Sequence, residues 1–437
     1  MSNMLANLSL FQYKIMMIVY VCPFIFWQQR HIICNDLRTY FSKKDLLKME
    51  QKIAEQFRNI YPQSSPPLIV RSPGRINIIG EHTDYNEGFV LPAAIDKAIY
   101  VAVSLRDDNE IHLYAADYDE THVVTVDTLA PSEKHWPNYI LGVADQLQKR
   151  GYTIQGFNLA IDGDVPLGAG LSSSAAVECA TAFALNELFG LQLPRLEMVQ
   201  AAQKAEHTFA GVMCGIMDQF ASMFGKKNYV IKLDCRSLDY EYVPLELNGY
   251  KILLLNTNVK HSLSSSEYNT RRQQCEQGVE WIKKYKPEVN SLRDVTMQML
   301  DEYVLPDDQL IYTRCKYVVE EIQRLLEGCN DLQRGDIQAL GKKMFRTHEG
   351  LSKEYEVSCK ELDILVDAVK YEPSVVGARM MGGGFGGCTI NIVKEEAIEP
   401  LVKRLSEAYT RQTELGLSAY IVQIENGTGM ISVKRPG

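Results

Sequence analysis

The stretch GRINIIGEHTDYN, Gly74 to Asn86, combines features of a buried strand with those of a polar site. Its first half alternates isoleucine with polar residues, which is the pattern of a strand with one face in a core. Its second half places Glu81, His82 and Asp84 directly after that strand. Arg75 stands at the entry to the strand, after a segment SPG that predicts a turn. The stretch therefore predicts a core strand that carries charged side chains to a functional site.

The composition is that of an ordinary globular protein. The chain has 437 residues, of which 46% are hydrophobic and 23% are charged, and this length favours more than one domain. A formal net charge of -9 argues against nucleic acid or an anionic membrane as the main partner. The ten cysteines show no C-x-x-C pair and no zinc-ligand spacing, which indicates reduced thiols in a cytoplasmic enzyme. We expect a monomer that acts on small molecules, with no nucleic-acid or membrane partner.

Residues 1–48 differ from the rest of the chain. Ile15 to Trp27 form an apolar run of 13 residues that Pro23 interrupts, too short to span a bilayer of about 30 Å as a helix. Three interpretations stay open: translated upstream sequence with Met49 as the working start, a docked or disordered extension, or a membrane or secretory signal. An amphipathic helix is predicted to begin near Met49, which agrees with the first of them.

Strands and helices alternate irregularly along the remaining chain. Short apolar runs predict separate strands at LIVRS, INIIG, IYVAVSL, IHLYAA, HVVTV and GFNLAIDG. Helices are predicted at NYILGVADQLQKRG, at the small apolar segment that ends at Gly190, and over Arg195 to Ala210. Residues 268–351 are largely helical by pattern. Because a strict βαβ order is missing, we predict two α+β domains, residues 49–249 and 250–437, rather than a doubly wound sheet.

The segment MGGGFGG matches a cofactor motif only superficially. Gly382, Gly384 and Gly387 satisfy G-x-G-x-x-G, but the segment leads into the strand-like CTINIV, whereas a dinucleotide fingerprint opens a helix. We expect a tight turn in which the backbone closely approaches a ligand or another part of the chain. The Walker pattern G-x-x-x-x-G-K-[ST] does not occur in the sequence.

The segment PLGAGLSSSAA, residues 166–176, predicts an anion site. Its glycines at 168 and 170 allow the backbone to approach a ligand, and its serines at 172–174 stand where a helix begins. Free N–H groups and the helix dipole favour negative charge at such a position. Serines that merely cap the helix would explain one serine but not the glycines. We therefore predict phosphate binding here.

Two carboxylates follow twelve residues apart, Glu206 near the end of a predicted helix and Asp218 in a mostly apolar segment. Asp218 stands inside CGIMDQFASMF, and a carboxylate in such surroundings is costly unless it is paired or functional. From these residues alone Asp218 could be a structural or a catalytic aspartate.

These segments together resemble the motifs of the GHMP small-molecule kinases, and within them the galactokinases. GRINIIGEHTDYNEGFVLP is similar to the galactokinase signature, PLGAGLSSSAA to the family's ATP loop, and GGGFGG to its third motif. CGIMDQF, NTNVKHSLSSSEYNTRR and YEVSCKELD also resemble galactokinase sequence. The resemblance runs from about Met49 to the C terminus. It implies an α+β, two-domain GHMP kinase fold with the active site in the cleft between the domains.

The resemblance also implies a reaction and a set of residue roles. The γ-phosphoryl group of ATP would pass to the anomeric hydroxyl of D-galactose, giving α-D-galactose 1-phosphate and ADP, the entry step of galactose metabolism. Asp218 would be the base, and Arg75 would orient it and stabilise charge on the phosphoryl group. The implied galactose contacts are Glu81, His82, Thr83, Asp84, Gly215 and Tyr268. The implied ATP loop consists of Gly168, Ala169, Gly170, Leu171, Ser172, Ser173 and Ser174. The implied cofactor is Mg²⁺, held by Ser174 and Glu206.

Two alternatives to this reaction stay open. Some galactokinase-like proteins are galactose sensors without catalysis, but their resemblance includes a shortened serine loop, and GLSSSAA is complete here. Sister enzymes phosphorylate N-acetylgalactosamine, arabinose or mevalonate, and a sequence does not display the pocket shape on which that choice depends.

Overall fold

The computed structural model describes residues 43–166, 168–259 and 264–431, and within these ranges helices pack against three sheets. The strands there are β1 (Leu68–Asn77), β2 (Phe89–Val90), β3 (Pro92–Leu105), β4 (Glu110–Ala115), β5 (Glu120–Thr125), β6 (Phe157–Gly163), β7 (Tyr229–Asp234), β8 (Tyr240–Pro244), β9 (Tyr250–Asn256), β10 (Val375–Met380), β11 (Cys388–Lys394), β12 (Ser418–Val422) and β13 (Gly429–Met430). The α-helices there are α1 (Lys43–Ile60), α2 (Asn138–Lys149), α3 (Ser173–Phe189), α4 (Arg195–Ala205), α5 (Met217–Phe224), α6 (Ser264–Lys283), α7 (Met297–Tyr303), α8 (Gln309–Gln333), α9 (Ile337–Lys353), α10 (Lys360–Val369) and α11 (Ile398–Thr413).

The largest sheet has the strand order β13-β1-β3-β6-β4-β5. Its neighbours are antiparallel except for β4 and β6, which run parallel. The nearly apolar helix α3 packs across β1 and β3, so both the helix and the sheet face are buried. This packing fixes the start of α3, where the serines lie, beside the end of β1, where the charged segment begins.

Strand β1 corrects one sequence prediction. LIVRS and INIIG were expected to be two strands separated by a turn at SPG, but a single strand runs from Leu68 to Asn77. The pairing of β1 with β3 shifts register between Pro73 and Arg75. Proline cannot donate to a ladder, and such an irregularity is where a sheet tolerates it. The predicted turn is therefore wrong, and Arg75 lies inside the strand.

The second sheet has the order β10-β11-β9-β12 and is covered by α9, α10 and α11. Its strand β9 begins at Tyr250, near the predicted start of the second domain. The last strand, β13, returns to the first sheet and pairs with β1. The domain boundary stays a prediction, because a strand from the C-terminal part of the chain completes the sheet of the N-terminal part.

Most predicted helices are confirmed, with one change at a functional segment. Helix α3 ends where Gly190 adopts the left-handed conformation, with φ of 62°, as the stop signal indicated. The helix predicted over Arg195 to Ala210 is shorter, because α4 ends at Ala205 and residues Glu206–Ala210 form a π-helical turn. Such turns are frequent at functional sites because they redirect side chains out of the helical register.

Helix α1 confirms the expected amphipathic helix, with Ile53 and Phe57 buried, but it begins at Lys43 rather than at the predicted Met49. The expectations for residues 1 to 42 lie outside the described residues. Among the helices of the described ranges, none is long and apolar enough to cross a membrane.

Candidate active site

A cavity of about 130 Å³ lies beside the segment that follows β1. Its lining combines residues from the N-terminal and the C-terminal parts of the chain. The predicted site residues in the lining are Arg75, Glu81, His82, Asp84, Glu206, Gly215, Asp218 and Tyr268. The other lining residues are Gly382 and Gly383 of the glycine segment, together with Val212, Cys214 and Met217, which had no predicted role. The fold therefore gathers into one cavity groups that the sequence separates by up to about 300 positions.

A larger groove, of about 790 Å³, lies between α7, α8 and α9 and contains none of the predicted site residues. Three of its four basic side chains already pair with acidic ones, namely Arg324 with Glu321, Lys343 with Asp331 and Arg346 with Glu320. The smaller cavity, in which carboxylates outnumber basic side chains, is therefore the candidate active site.

Arg75 and Asp218 form a two-pronged ion pair at the wall of the cavity. Arg75 Nε donates to Asp218 Oδ1 at 2.8 Å, and Nη2 donates to Oδ2 at 3.0 Å. The Arg75 side chain is 4% exposed and that of Asp218 is 25% exposed. A paired fork of this kind fixes the carboxylate in one orientation, because both donors are rigidly coplanar. Asp218 thus presents its exposed edge to the cavity in a defined direction.

The serine loop is attached to β1 at the same place. The N–H of Arg75 donates to the carbonyl of Leu171 at 3.1 Å, and Arg75 Nη1 donates to the carbonyl of Gly170 at 2.5 Å. A Cβ atom at position 74 would lie 2.8 Å from that Leu171 oxygen. The glycine at 74 therefore allows the predicted phosphate loop to lie against the strand that carries Arg75.

The serines of this loop do not serve as helix caps. Ser172 precedes α3 with φ of 57°, makes no side-chain cap and instead donates its hydroxyl to Asp218 Oδ2. The side chain of Ser174 faces Glu206, whose pKa it lowers against the larger effect of burial. The first turn of α3 keeps its N–H groups for another partner, as expected for an anion site.

The glycine segment after β10 packs on this loop. A Cβ atom at Gly387 would lie 3.2 Å from the Ala169 backbone, and one at Gly384 would lie 2.1 Å from the Val357 carbonyl oxygen. Both glycines also have positive φ. The expected close approach to another part of the chain is confirmed, and β11 follows the segment, which excludes a dinucleotide fingerprint.

Glu81 is held by groups that the sequence analysis did not identify. Its Oε1 accepts hydrogen bonds from Arg379 Nη2 at 3.0 Å and from the N–H of Gly382 at 2.9 Å. Burial raises the pKa of Glu81, but the charges of Arg379 and Arg75 and the Gly382 hydrogen bond outweigh it, so the pKa lies below its ordinary value. Glu81 is therefore an ionised acceptor with Oε2 left for a ligand.

His82 is a neutral, oriented imidazole. Its Nδ1 shares a hydrogen bond of 2.8 Å with the hydroxyl of Tyr85, whose oxygen in turn bonds the hydroxyl of Tyr355 at 2.8 Å. Burial lowers the pKa of His82 to about 4. Its Nε2 is buried without a hydrogen-bond partner. The ring of Tyr268 lies 5.3 Å from the imidazole, centroid to centroid, so the two predicted residues are neighbours.

Asp84 lies directly against Gly215. A Cβ atom at Gly215 would come within 1.7 Å of Asp84 Oδ2, so only glycine fits there. Burial and the nearby charge of Asp218 raise the pKa of Asp84 to about 7. Thr83, by contrast, does not line the cavity, since its hydroxyl donates to the carbonyls of Gly80 and Phe89.

Three carboxylates lie near the start of α3. Burial and the charge of Asp218 raise the pKa of Glu206 to about 7. Burial and the charge of Glu206 raise the pKa of Glu178, which the sequence analysis did not single out, well above its ordinary range. The amide of Gln219 donates to both Glu178 and Glu206. Acidic groups outnumber basic ones at this end of the cavity, which therefore favours a bound proton or cation.

Comparison with known proteins gives three family matches along the chain. They are the galactokinase galactose-binding signature over residues 55–105, the GHMP kinases N terminal domain over 138–226 and the GHMP kinases C terminal domain over 330–411. A galactokinase of Thermotoga neapolitana is 44% identical over 362 residues, which is 83% of this chain and 99% of that protein. The chain belongs to the galactokinase family.

Other members agree with this assignment. A galactokinase of Clostridium acetobutylicum is 40% identical over 393 residues, covering 89% of this chain and all of that protein. The crystal structure of Lactococcus lactis galactokinase complexed with galactose superposes with a TM-score of 0.84 at 34% identity, over 88% of this chain and 100% of that one. Mevalonate kinase of Methanococcus jannaschii, at 18% identity and a TM-score of 0.58 over 84% of this chain and 100% of that one, shares the GHMP kinase fold.

Proposed function

We propose that this protein transfers the γ-phosphoryl group of ATP to the anomeric hydroxyl of D-galactose, giving α-D-galactose 1-phosphate and ADP. The observation that carries the proposal is the Arg75–Asp218 pair at the wall of the cavity, with Glu81 and Asp84 in the same lining. Phosphoryl transfer requires a positioned acceptor hydroxyl and neutralisation of charge on the transferred group. An aspartate and an arginine in contact supply both at one point.

The sugar is bound by the acidic side of the cavity. Carboxylates accept the hydroxyl hydrogens of a sugar, and both Glu81 and Asp84 line the cavity. The hydrogen bonds from Arg379 and Gly382 go to Oε1 of Glu81, so its Oε2 is left for the sugar. His82 offers Nε2, and Gly215 and Tyr268 complete the walls. Thr83 supports this loop from behind rather than contacting the sugar, because its hydroxyl bonds two backbone carbonyls.

The nucleotide phosphates are bound by the loop from Gly168 to Ser174. The support is the free first turn of α3 and the glycine segment that packs on the loop. Gly168 is exposed and adopts φ of 69° with open space around its Cβ position, so its backbone can follow a phosphate.

The residues near Glu206 fit a divalent cation. Glu178 Oε1 is buried without a partner, and a cation would stabilise the ionised forms of Glu178 and Glu206, whose pKa values are raised in its absence. The carboxylate of Glu206 and the hydroxyl of Ser174 are hard oxygen ligands, which Mg²⁺ prefers. In the described ranges no group of three or more His, Cys, Asp or Glu side chains forms a metal cluster. Mg²⁺ commonly takes few protein ligands and completes its shell with phosphates and water, so Ser174 and Glu206 would hold it. When bound, the cation neutralises phosphate charge.

In the reaction, Asp218 accepts the proton of the anomeric hydroxyl while the oxygen of that hydroxyl forms a bond to the γ-phosphorus. The bond from that phosphorus to the bridging oxygen of ADP breaks at the same time. Arg75 keeps Asp218 oriented and lies close enough to stabilise charge on the phosphoryl oxygens. The products are the sugar phosphate and ADP.

The proposal extends to organisation in the cell and along the chain. We propose a cytoplasmic monomer with two domains that meet near residue 250. Size-exclusion chromatography with light scattering tests the oligomeric state, and a mass near that of one 49.5 kDa chain is expected.

An ADP-release assay coupled to NADH oxidation tests the proposed reaction. We expect ADP release with D-galactose that exceeds release with N-acetylgalactosamine, arabinose or mevalonate. Galactose binding without ADP release would support the sensor interpretation instead. Faster release with one of the other acceptors would reassign the substrate while leaving the kinase activity in place.

A further inference from the structure

Glu178 is a buried carboxylate that the proposed reaction does not use. It is fully buried on α3, one turn beyond Ser174. Its Oε1 has no hydrogen-bond partner, and the charges that act on it in the described residues are the carboxylates of Glu206 and Asp218. A carboxyl group that is buried without a cation lowers the stability of the fold, so a functional role would explain its presence.

The contact that Glu178 makes leads to the proposed cation ligand. Gln219 Nε2 donates to Glu178 Oε2 at 3.0 Å and to Glu206 Oε2 at 2.7 Å. An amide nitrogen carries two hydrogens, so it has one for each carboxylate. The amide oxygen of Gln219 has no partner. The two acceptors therefore decide which end of the amide faces Glu206.

We infer that Glu178 is a positioning residue for the cation site, acting through Gln219 on the orientation of Glu206. The inference rests on the proposed function. Without an acceptor at position 178, the Gln219 amide keeps only its bond to Glu206 and is no longer fixed between two acceptors, so the Glu206 carboxylate loses its defined orientation. Groups that orient a metal ligand in this way typically change metal affinity by about 10–100-fold when they are removed.

This role has a signature that a merely structural role lacks. Glu178→Met fills the same space with an apolar side chain and removes an unpaired buried carboxylate. We expect an unchanged or higher melting temperature together with weaker binding of ADP in the presence of Mg²⁺. If Glu178 served only packing, the variant would lower both the melting temperature and the affinity for ADP. If Glu178 only reduced stability, the variant would leave the affinity for ADP unchanged.

Isothermal titration of ADP into the full-length protein, with Mg²⁺ and with EDTA, measures the effect without catalysis. In Glu178→Met we expect the enhancement of ADP affinity by Mg²⁺ to fall about 10–100-fold, while ADP affinity in EDTA and galactose affinity stay within about threefold. Thr181→Val is the matched control, because Thr181 is equally buried on α3 and bonds only the Val177 carbonyl. It should keep the full enhancement.

The double variant Glu178→Met with Gln219→Met tests the path of the effect. If Glu178 acts through Gln219, the double variant binds Mg²⁺ and ADP no more weakly than Gln219→Met alone. Full Mg²⁺ enhancement in Glu178→Met would overturn the inference, and so would additive losses in the double variant. An unmodified protein that binds ADP equally well with Mg²⁺ and with EDTA would overturn the cation site as well. The ADP-release assay then shows separately whether the proposed reaction survives.

Discussion

The raised pKa of Asp84 predicts that Asp84→Asn stabilises the protein at alkaline pH. Burial and Asp218 raise this pKa from an ordinary value of 3.8 to about 7. A folded-state pKa above the unfolded value means that the folded protein binds the proton more tightly. The free energy of unfolding therefore falls as pH rises from 3.8 towards 7 and levels off above 7. Asparagine resembles the protonated carboxyl group but does not titrate, so the free energy of unfolding of Asp84→Asn does not fall in this way as pH rises.

The size of the effect follows from the same two values. Each pKa unit corresponds to about 1.36 kcal/mol, so the full difference is about 4 kcal/mol, an upper limit because Asp84 keeps some contact with the cavity. Between pH 5 and pH 8 the stability of Asp84→Asn relative to the unmodified protein should rise by about 3 kcal/mol. Comparing the two proteins at each pH cancels the contributions of the groups that do not interact with Asp84.

Urea denaturation followed by circular dichroism at pH 5, 6, 7 and 8 measures this difference. Glu81→Gln is the contrasting variant, because the pKa of Glu81 is lowered and the group is ionised in both states over this range. Glu81→Gln should lower the free energy of unfolding by an amount that hardly changes between pH 5 and pH 8. A pH-independent difference for Asp84→Asn, or one that falls as pH rises, would refute the reasoning about Asp84.

Three further variants probe the site. Gly215→Ala places a methyl group against Asp84 Oδ2 and should lower kcat/KM for galactose about 100-fold, measured by ADP release; unchanged kinetics would mean that Asp84 can move aside without cost. Arg75→Ala should lower kcat about 10²–10³-fold with a smaller change in galactose affinity, whereas Asp84→Ala should chiefly weaken galactose binding; the reverse pattern would contradict the division of roles. Arg379→Met removes the cation that contacts buried Glu81 and the donors to the carbonyls of Asn77, Ile78 and Met380, and it should lower the free energy of unfolding by about 3–5 kcal/mol in urea; a loss below about 1 kcal/mol would show that these acceptors find other partners.

The sequence pattern predicted the local elements well where they depend on neighbours along the chain. The small apolar helix with its stop at Gly190 follows from composition and a single left-handed glycine. The turn predicted at SPG is wrong, because Pro73 lies in a continuous strand. The pairing register of that strand shifts between Pro73 and Arg75, and there the N–H of Arg75 donates to the Leu171 carbonyl of a distant loop. Approaches of this kind are not visible in local sequence.

The residue types of the candidate site were more predictable from the sequence than the contacts between those residues. The argument that singled out Asp218, a carboxylate in an apolar segment, applies equally to Glu178 in SSAAVECATAF and could have found it. The partner of Glu81 could not be found in this way, because Arg379 is 298 positions away and meets Glu81 only through the fold. That Thr83 faces its own loop is likewise a matter of backbone geometry.

The role of Asp218 as the base is tested most directly by Asp218→Asn in a single turnover. Rapid quenching with labelled ATP and saturating galactose measures phosphoryl transfer itself, and calorimetry measures galactose affinity in the same variant. A positioned base contributes about 10²–10⁴-fold, so we expect a loss of that order with galactose affinity within about threefold. Near-normal transfer with intact galactose binding would show that Asp218 is not the base.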